Sequence, residues 1–128
     1  MNISIQIFAL LAGLLHVLIF FMESLWFMRP NVHSRFGVNN TADADTVRIF
    51  AFNQGFYNLF LAIGVFIGLG LIHLSNNLIT AQTLVLFSCS CMLAAAVVLA
   101  YSANKKMLRA AFIQGIFPML ALISWLFF

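Results

Sequence analysis

Four long apolar runs, at about residues 3–28, 47–74, 79–103 and 107–128, leave this 128-residue chain few ways to fold. At 1.5 Å of rise per residue, each run is long enough to cross a hydrocarbon core about 30 Å thick as a helix. The helix is the natural choice there, because lipid offers no partner to backbone amides and carbonyls and a helix satisfies them within one segment. The chain is 64% hydrophobic and only 7% charged, where soluble domains carry about 25% charged residues. A soluble fold of this size would have no means of covering so much apolar surface. The expected class is all-α: a single domain forming a four-transmembrane-helix bundle. The first run is too long for the core of a cleavable leader, lacks a preceding cation and has no small-residue cleavage motif after it, so it is expected to be retained.

Six cations set the expected orientation. Arg29, Arg35 and Arg48 flank or occupy the first connection, and Lys105, Lys106 and Arg109 the third. The N-terminus, the second connection and the C-terminus have no Lys or Arg. The bias of cations towards the cytoplasmic side predicts both termini outside. A net charge of +3 resting on so few groups is no nucleic-acid groove. Cys89 and Cys91, two apart in one apolar run, point to different sides of a helix and are expected to be packing residues. No metal-ligand cluster or cofactor motif is visible.

Connections and packing points can be placed as well. Residues 29–46 are the one sizeable polar stretch; Gly37 and Asn39-Asn40 suggest turns, and Thr41 is the expected N-cap of the second helix. Ser75-Asn76-Asn77 and Asn104-Lys105-Lys106 are the expected shorter turns. Gly64 and Gly68 form a small-xxx-small pair, and Ala9, Ala12 and Gly13 a small-residue face, both suited to close helix contact.

Polar residues inside the apolar runs carry the functional interest. The block Asn53-Gln54-Gly55-Phe56-Tyr57-Asn58 begins one to two turns into the second run. The first run holds His16 and Glu23, seven apart and so on one face of an α-helix, separated by about 10 Å. The fourth holds Gln114, whose carbonyl loses its regular donor to Pro118. Counting from the cytoplasmic ends, Glu23, Asn53, Gln54 and Gln114 fall roughly 7–11 Å below one surface, with Tyr57 and Asn58 a turn deeper and His16 near the midplane. A buried carboxyl at this depth is costly, by about 2.5–3.5 kcal/mol or more, and such groups mark functional positions. All seven side chains are therefore expected to face the bundle interior, as ligand-binding or proton-coupling residues. The blander reading of the amides is inter-helical glue. Ala51-Phe52-Asn53-Gln54-Gly55 is echoed by Ala111-Phe112-Ile113-Gln114-Gly115 at an offset of 60 residues.

The combination of His16, Glu23 and Trp26, then Arg35-Phe36-Gly37, the Asn53–Asn58 block with Phe60-Leu61-Ala62, and Gln114-Gly115 with Pro118 resembles the DUF1304 family. The resemblance spans nearly the whole chain. It implies a small four-span protein of the bacterial cytoplasmic (inner) membrane and supplies no activity, cofactor or catalytic residue.

Three readings of function follow. The first is binding or transport of a small molecule in an intramembrane polar pocket near the cytoplasmic side. There Glu23 would be the proton or cation acceptor, His16 a deeper relay, and the amides and Tyr57 would orient the ligand. Transport by a chain this small would call for a homodimer. The second is a structural or accessory membrane protein whose polar layer only fixes helix packing. The third is a membrane enzyme using His16 and Glu23 on a lipophilic substrate, against which their separation argues. The expected partners are membrane lipid and a small molecule, with no nucleic acid and no cofactor.

Overall fold

The computed structural model describes residues 1–74, 77–102 and 105–127. Ser75, Asn76, Ala103, Asn104 and Phe128, and with them parts of both expected shorter turns and the last residues of the third and fourth runs, lie outside the described residues. Among the described residues the chain is helical and has no strand. Helix α1 covers Ile3–Phe20 and continues into a π-turn at Phe21–Leu25. A short α2, Pro30–His33, follows in the first connection. Three long helices complete the chain: α3 (Thr41–Leu74), α4 (Leu78–Ser102) and α5 (Leu108–Phe127), the last preceded by a 3-10 turn at Lys105–Met107. Four helical stretches, Ile3–Leu25, Thr41–Leu74, Leu78–Ser102 and Lys105–Phe127, are long and apolar enough to cross a membrane.

Three helices begin on an asparagine. The side chain of Asn2 accepts from the Ser4 amide at 3.1 Å, that of Asn40 from Asp43 at 2.8 Å, and that of Asn77 from Thr80 at 3.1 Å. Each takes up an amide that the first turn leaves without an intrahelical partner. The expected cap of the second helix, Thr41, is displaced by one position, because Asn40 also donates to the Asp43 carboxylate at 2.6 Å and so holds both ends of that side-chain contact.

The long helices form an up-down ring in which α1 packs on α3, α3 on α4, α4 on α5, and α5 back on α1. Small residues set the crossings. A Cβ on Gly68 would lie 2.9 Å from the Ala81 carbonyl oxygen, and one on Gly64 would press on Ser88, so the glycine pair marks the α3–α4 crossing. Gly13 makes room for the Phe66 ring, and Gly115 for Ala96. Close backbone approach of this kind is what drives association where lipid removes the hydrophobic gain.

The packed core draws on Ala9 and Ala12 of α1, Val65 of α3, Val85, Cys89 and Met92 of α4, and Ala121 of α5. It sits away from the charged connections. Cys89 and Cys91 are both free thiols, the first buried in this core. At 34 residues, α3 is about 51 Å long, well beyond the ~30 Å a core requires. Gly55 meets Ser24, close to the end of the first span, so the opening turns of α3 run past α1. Arg48 pairs there with Asp45 at 3.8 Å on the exposed surface.

Candidate functional site

The π-turn carries the site. At Phe21–Leu25 the chain winds wider than an α-helix, closing with the Trp26 amide on the Phe21 carbonyl at 2.8 Å. The wider turn ends the helix at Leu25, short of the expected Met28. Trp26 closes the turn; its ring stacks on Phe21 with centroids 5.2 Å apart, and Arg29 lies 5.3 Å from its centroid.

Helix α3 binds the π-turn through two side chains and one missing one. The carboxylate of Glu23 accepts from Asn58 Nδ2 at 2.8 Å, and the same nitrogen is 3.2 Å from the Gln54 carbonyl of its own helix. The Ser24 hydroxyl donates to the Phe52 carbonyl at 2.8 Å. Gly55 allows both, since a Cβ there would collide with Ser24 Oγ and lie 3.1 Å from Glu23 Cβ. Asn58 is buried and Glu23 half-buried.

On its other side, Glu23 borders a cleft of about 590 Å³ between α1 and α5. Leu15, Leu18 and Ile19 line it from α1, Met22 from the π-turn, and Ile113 with Gln114 from α5. Arg35, Lys106 and Arg109 also line it, with Phe36 and Met107 beside them. Its volume falls in the range of small-molecule sites, about 300–1,000 Å³. The first connection is built to bring Arg35 and Phe36 here. His33 is buried and approaches the Val38 carbonyl through Nδ1 at 2.6 Å, while the Val38 amide bonds the His33 carbonyl at 3.1 Å. Phe27 leans on both His33 and Phe36, and Gly37 turns the chain at φ +79°. That conformation is ordinary only for glycine.

The expected site residues therefore divide. Glu23, Asn58 and Gln114 belong to one connected region. His16 is fully buried and does not line the cleft; its Nδ1 lies 2.9 Å from the Ala12 carbonyl, and its Nε2 has no partner. It makes no hydrogen bond to Glu23, whose partner is Asn58. Asn53, Gln54 and Tyr57 do not face the bundle interior as expected but lie exposed on the outer surface of α3. The reason is the narrow buried stripe of that helix, Gly55, Asn58, Ala62, Val65 and Gly68. Contact through glycine at 55 brings α1 so close that the residues flanking the stripe are left outside.

Sequence reasoning passed over Ser24, Arg35 with Phe36 as cleft residues, and His33. A signal existed for Ser24: it neighbours the one carboxyl in the first run and faces a glycine. A shallower groove of about 430 Å³ lies against Ser24, Met28, Arg48 and Phe52. Among the described residues, no three His, Cys, Asp or Glu side chains gather as metal ligands.

The block echoed in the second and fourth runs has a structural counterpart. Gly55 and Gly115 are both buried at helix contacts, and Phe52 and Phe112 both exposed. No curated protein and no solved structure matches the chain. The family model described as "Protein of unknown function (DUF1304)" matches residues 10–126, and with it the π-turn, the Asn53–Asn58 block and Gln114-Gly115. This four-helix membrane chain belongs to the DUF1304 family.

Proposed function

We propose that the protein is a multi-pass component of the bacterial cytoplasmic membrane that binds a small molecule in the α1–α5 cleft, entered from the cytoplasmic side. The observation that carries this reading is the position of Glu23. Its carboxylate is held by Asn58 on one side and borders an open cleft on the other, with Gln114 on the opposing helix. An ionisable group kept at a cavity wall inside a span is costly unless it serves a ligand or proton. Glu23 is the acceptor for a proton or a ligand donor group, Asn58 orients it, and Gln114 offers both amide functions to the ligand. Transport is the same site alternating its access. The positive-inside rule, applied to the Arg-bearing ends of α3 and α5, supports a mouth on the cytoplasmic side.

A test uses Gln114→Cys in a chain whose Cys89 and Cys91 are replaced by alanine. In inside-out vesicles a membrane-impermeant maleimide labels this thiol, and in right-side-out vesicles it does not. No labelling from either side, nor after delipidation in detergent, means a closed, dry contact and contradicts the reading.

One observation favours a second reading. The side-chain bonds of Glu23 and Ser24 both go to α3, which also suits a layer that only fixes helix register. In that case Glu23→Gln lowers stability alone, and the cleft takes no ligand.

A further inference from the structure

We infer that the ligand of this cleft is an anionic phospholipid, its phosphate held by Arg35, Arg109 and Lys106 and one acyl chain laid along the apolar wall between α1 and α5. This deepens the binding reading above and rests on it. The cleft lining changes character along its length. Leu15, Leu18, Ile19 and Ile113 are aliphatic, whereas the cationic end is formed by Arg35 and Lys106 of the connections and Arg109 of the first turn of α5. From Leu15 to Met22 the wall follows α1 for about 10 Å at helical rise, a slot rather than a patch.

Charge decides the head group. The two arginines alone outnumber the single carboxylate of Glu23, which leaves an excess of positive charge along the lining. A zwitterionic head would gain little from it. A phosphate matches the fork of an arginine, which donates to two oxygens at once. Basic pockets between membrane helices on the cytoplasmic side are suited to anionic heads for this reason. Arg35 is partly fixed already, with Nε 3.3 Å from the Asn31 carbonyl, so less freedom is lost when its outer nitrogens bind. Phe36 and Met107, half-buried beside these cations, supply apolar surface where glycerol and the first methylenes would lie. The aliphatic slot distinguishes a lipid from a free phosphate ion, which would have no use for Leu15 or Leu18.

The experiment is native mass spectrometry of the detergent-purified full chain, titrated with phosphatidic acid, with phosphatidylcholine of the same acyl chains, and with inorganic phosphate. Phosphatidic acid is expected to remain bound and phosphatidylcholine to be lost. Arg35→Gln and Arg109→Gln are each expected to weaken retention about fivefold, as one membrane-surface cation is worth about 1 kcal/mol. Ile113→Trp, at a partly exposed position that tolerates a larger side chain, fills the slot and removes binding while all three cations remain. Equal retention of both lipids, or retention that neither arginine replacement changes, overturns the assignment. Displacement of the lipid by inorganic phosphate, with no effect of Ile113→Trp, also overturns it and leaves an anion site without a chain. Thiol labelling at residue 114 separates the two levels. A labelled thiol with no lipid preference removes the phospholipid and keeps the cleft, whereas a thiol that stays unreactive after delipidation in detergent removes both.

Discussion

Asn58 of α3 donates a 2.8 Å hydrogen bond to the Glu23 carboxylate, across two helices that meet at Gly55. The bond joins the one carboxyl of the first span to a buried amide of the second. Polar contacts of this kind between membrane helices average about 0.6 kcal/mol and reach about 1.7. A double-mutant cycle with Glu23→Gln and Asn58→Leu, read by reversible unfolding in micelles, is expected to give a coupling within that range. Fully additive effects would mean that the two side chains do not cooperate.

Gly55 and Gly70 are expected to respond in opposite ways to the same change. A methyl group at 55 meets Ser24 and threatens its bond to the Phe52 carbonyl, whereas one at 70 meets nothing within 4 Å. Overpacking puts the cost of Gly55→Ala at about 1–3 kcal/mol. Gly70→Ala is expected to be neutral or to stabilise by up to about 1 kcal/mol, through helix propensity. Thermal unfolding of both variants in one detergent checks the contrast.

Capping is assigned to Asn40, one residue before the start of α3. Asn40→Ala is expected to cost about 1 kcal/mol and to speed amide exchange at Asp43, whose N–H it accepts. Thr41→Ala is expected to leave that exchange unchanged. Hydrogen exchange followed residue by residue separates the two.

The outer face of α3 gives a third contrast. Gln54→Leu and Tyr57→Phe alter exposed side chains and are expected to change stability by no more than about 0.5 kcal/mol. Neither is expected to alter binding in the cleft. A large loss of stability, or a shift in oligomeric state on gel filtration, would instead make this face a contact between copies.

Much of the fold could be read from the residues, because hydropathy alone separates four spans and small residues mark where helices meet. Gly64 with Gly68, and Ala9 with Ala12 and Gly13, are at crossings or in the core, as their size suggests. Glu23 drew notice as a carboxyl in hydrocarbon, and it borders the cleft. The π-turn was not legible, since no residue in Phe-Met-Glu-Ser-Leu demands it; it lies where this segment bonds to α3. A shared face at a spacing of seven suggests that His16 and Glu23 act together, but His16 bonds the Ala12 carbonyl of its own helix and Glu23 bonds Asn58 of α3. The direction of Asn53, Gln54 and Tyr57 was lost for a related reason. Polarity suggests an inward side, but the glycine in the middle of the block determines which stripe touches α1. The cleft cations are hidden from a helix-by-helix reading because they come from the first connection, the turn before α5 and the start of α5 itself.

The central claim is an accessible cleft at Glu23 rather than a dry helix contact. An experimental density map of the protein in lipid nanodiscs tests it most directly. Elongated density is expected between α1 and α5, running from Arg109 past Glu23 and Gln114 towards Leu15. Side chains of α1 and α5 closed against each other along that line, with no density between them, would contradict it.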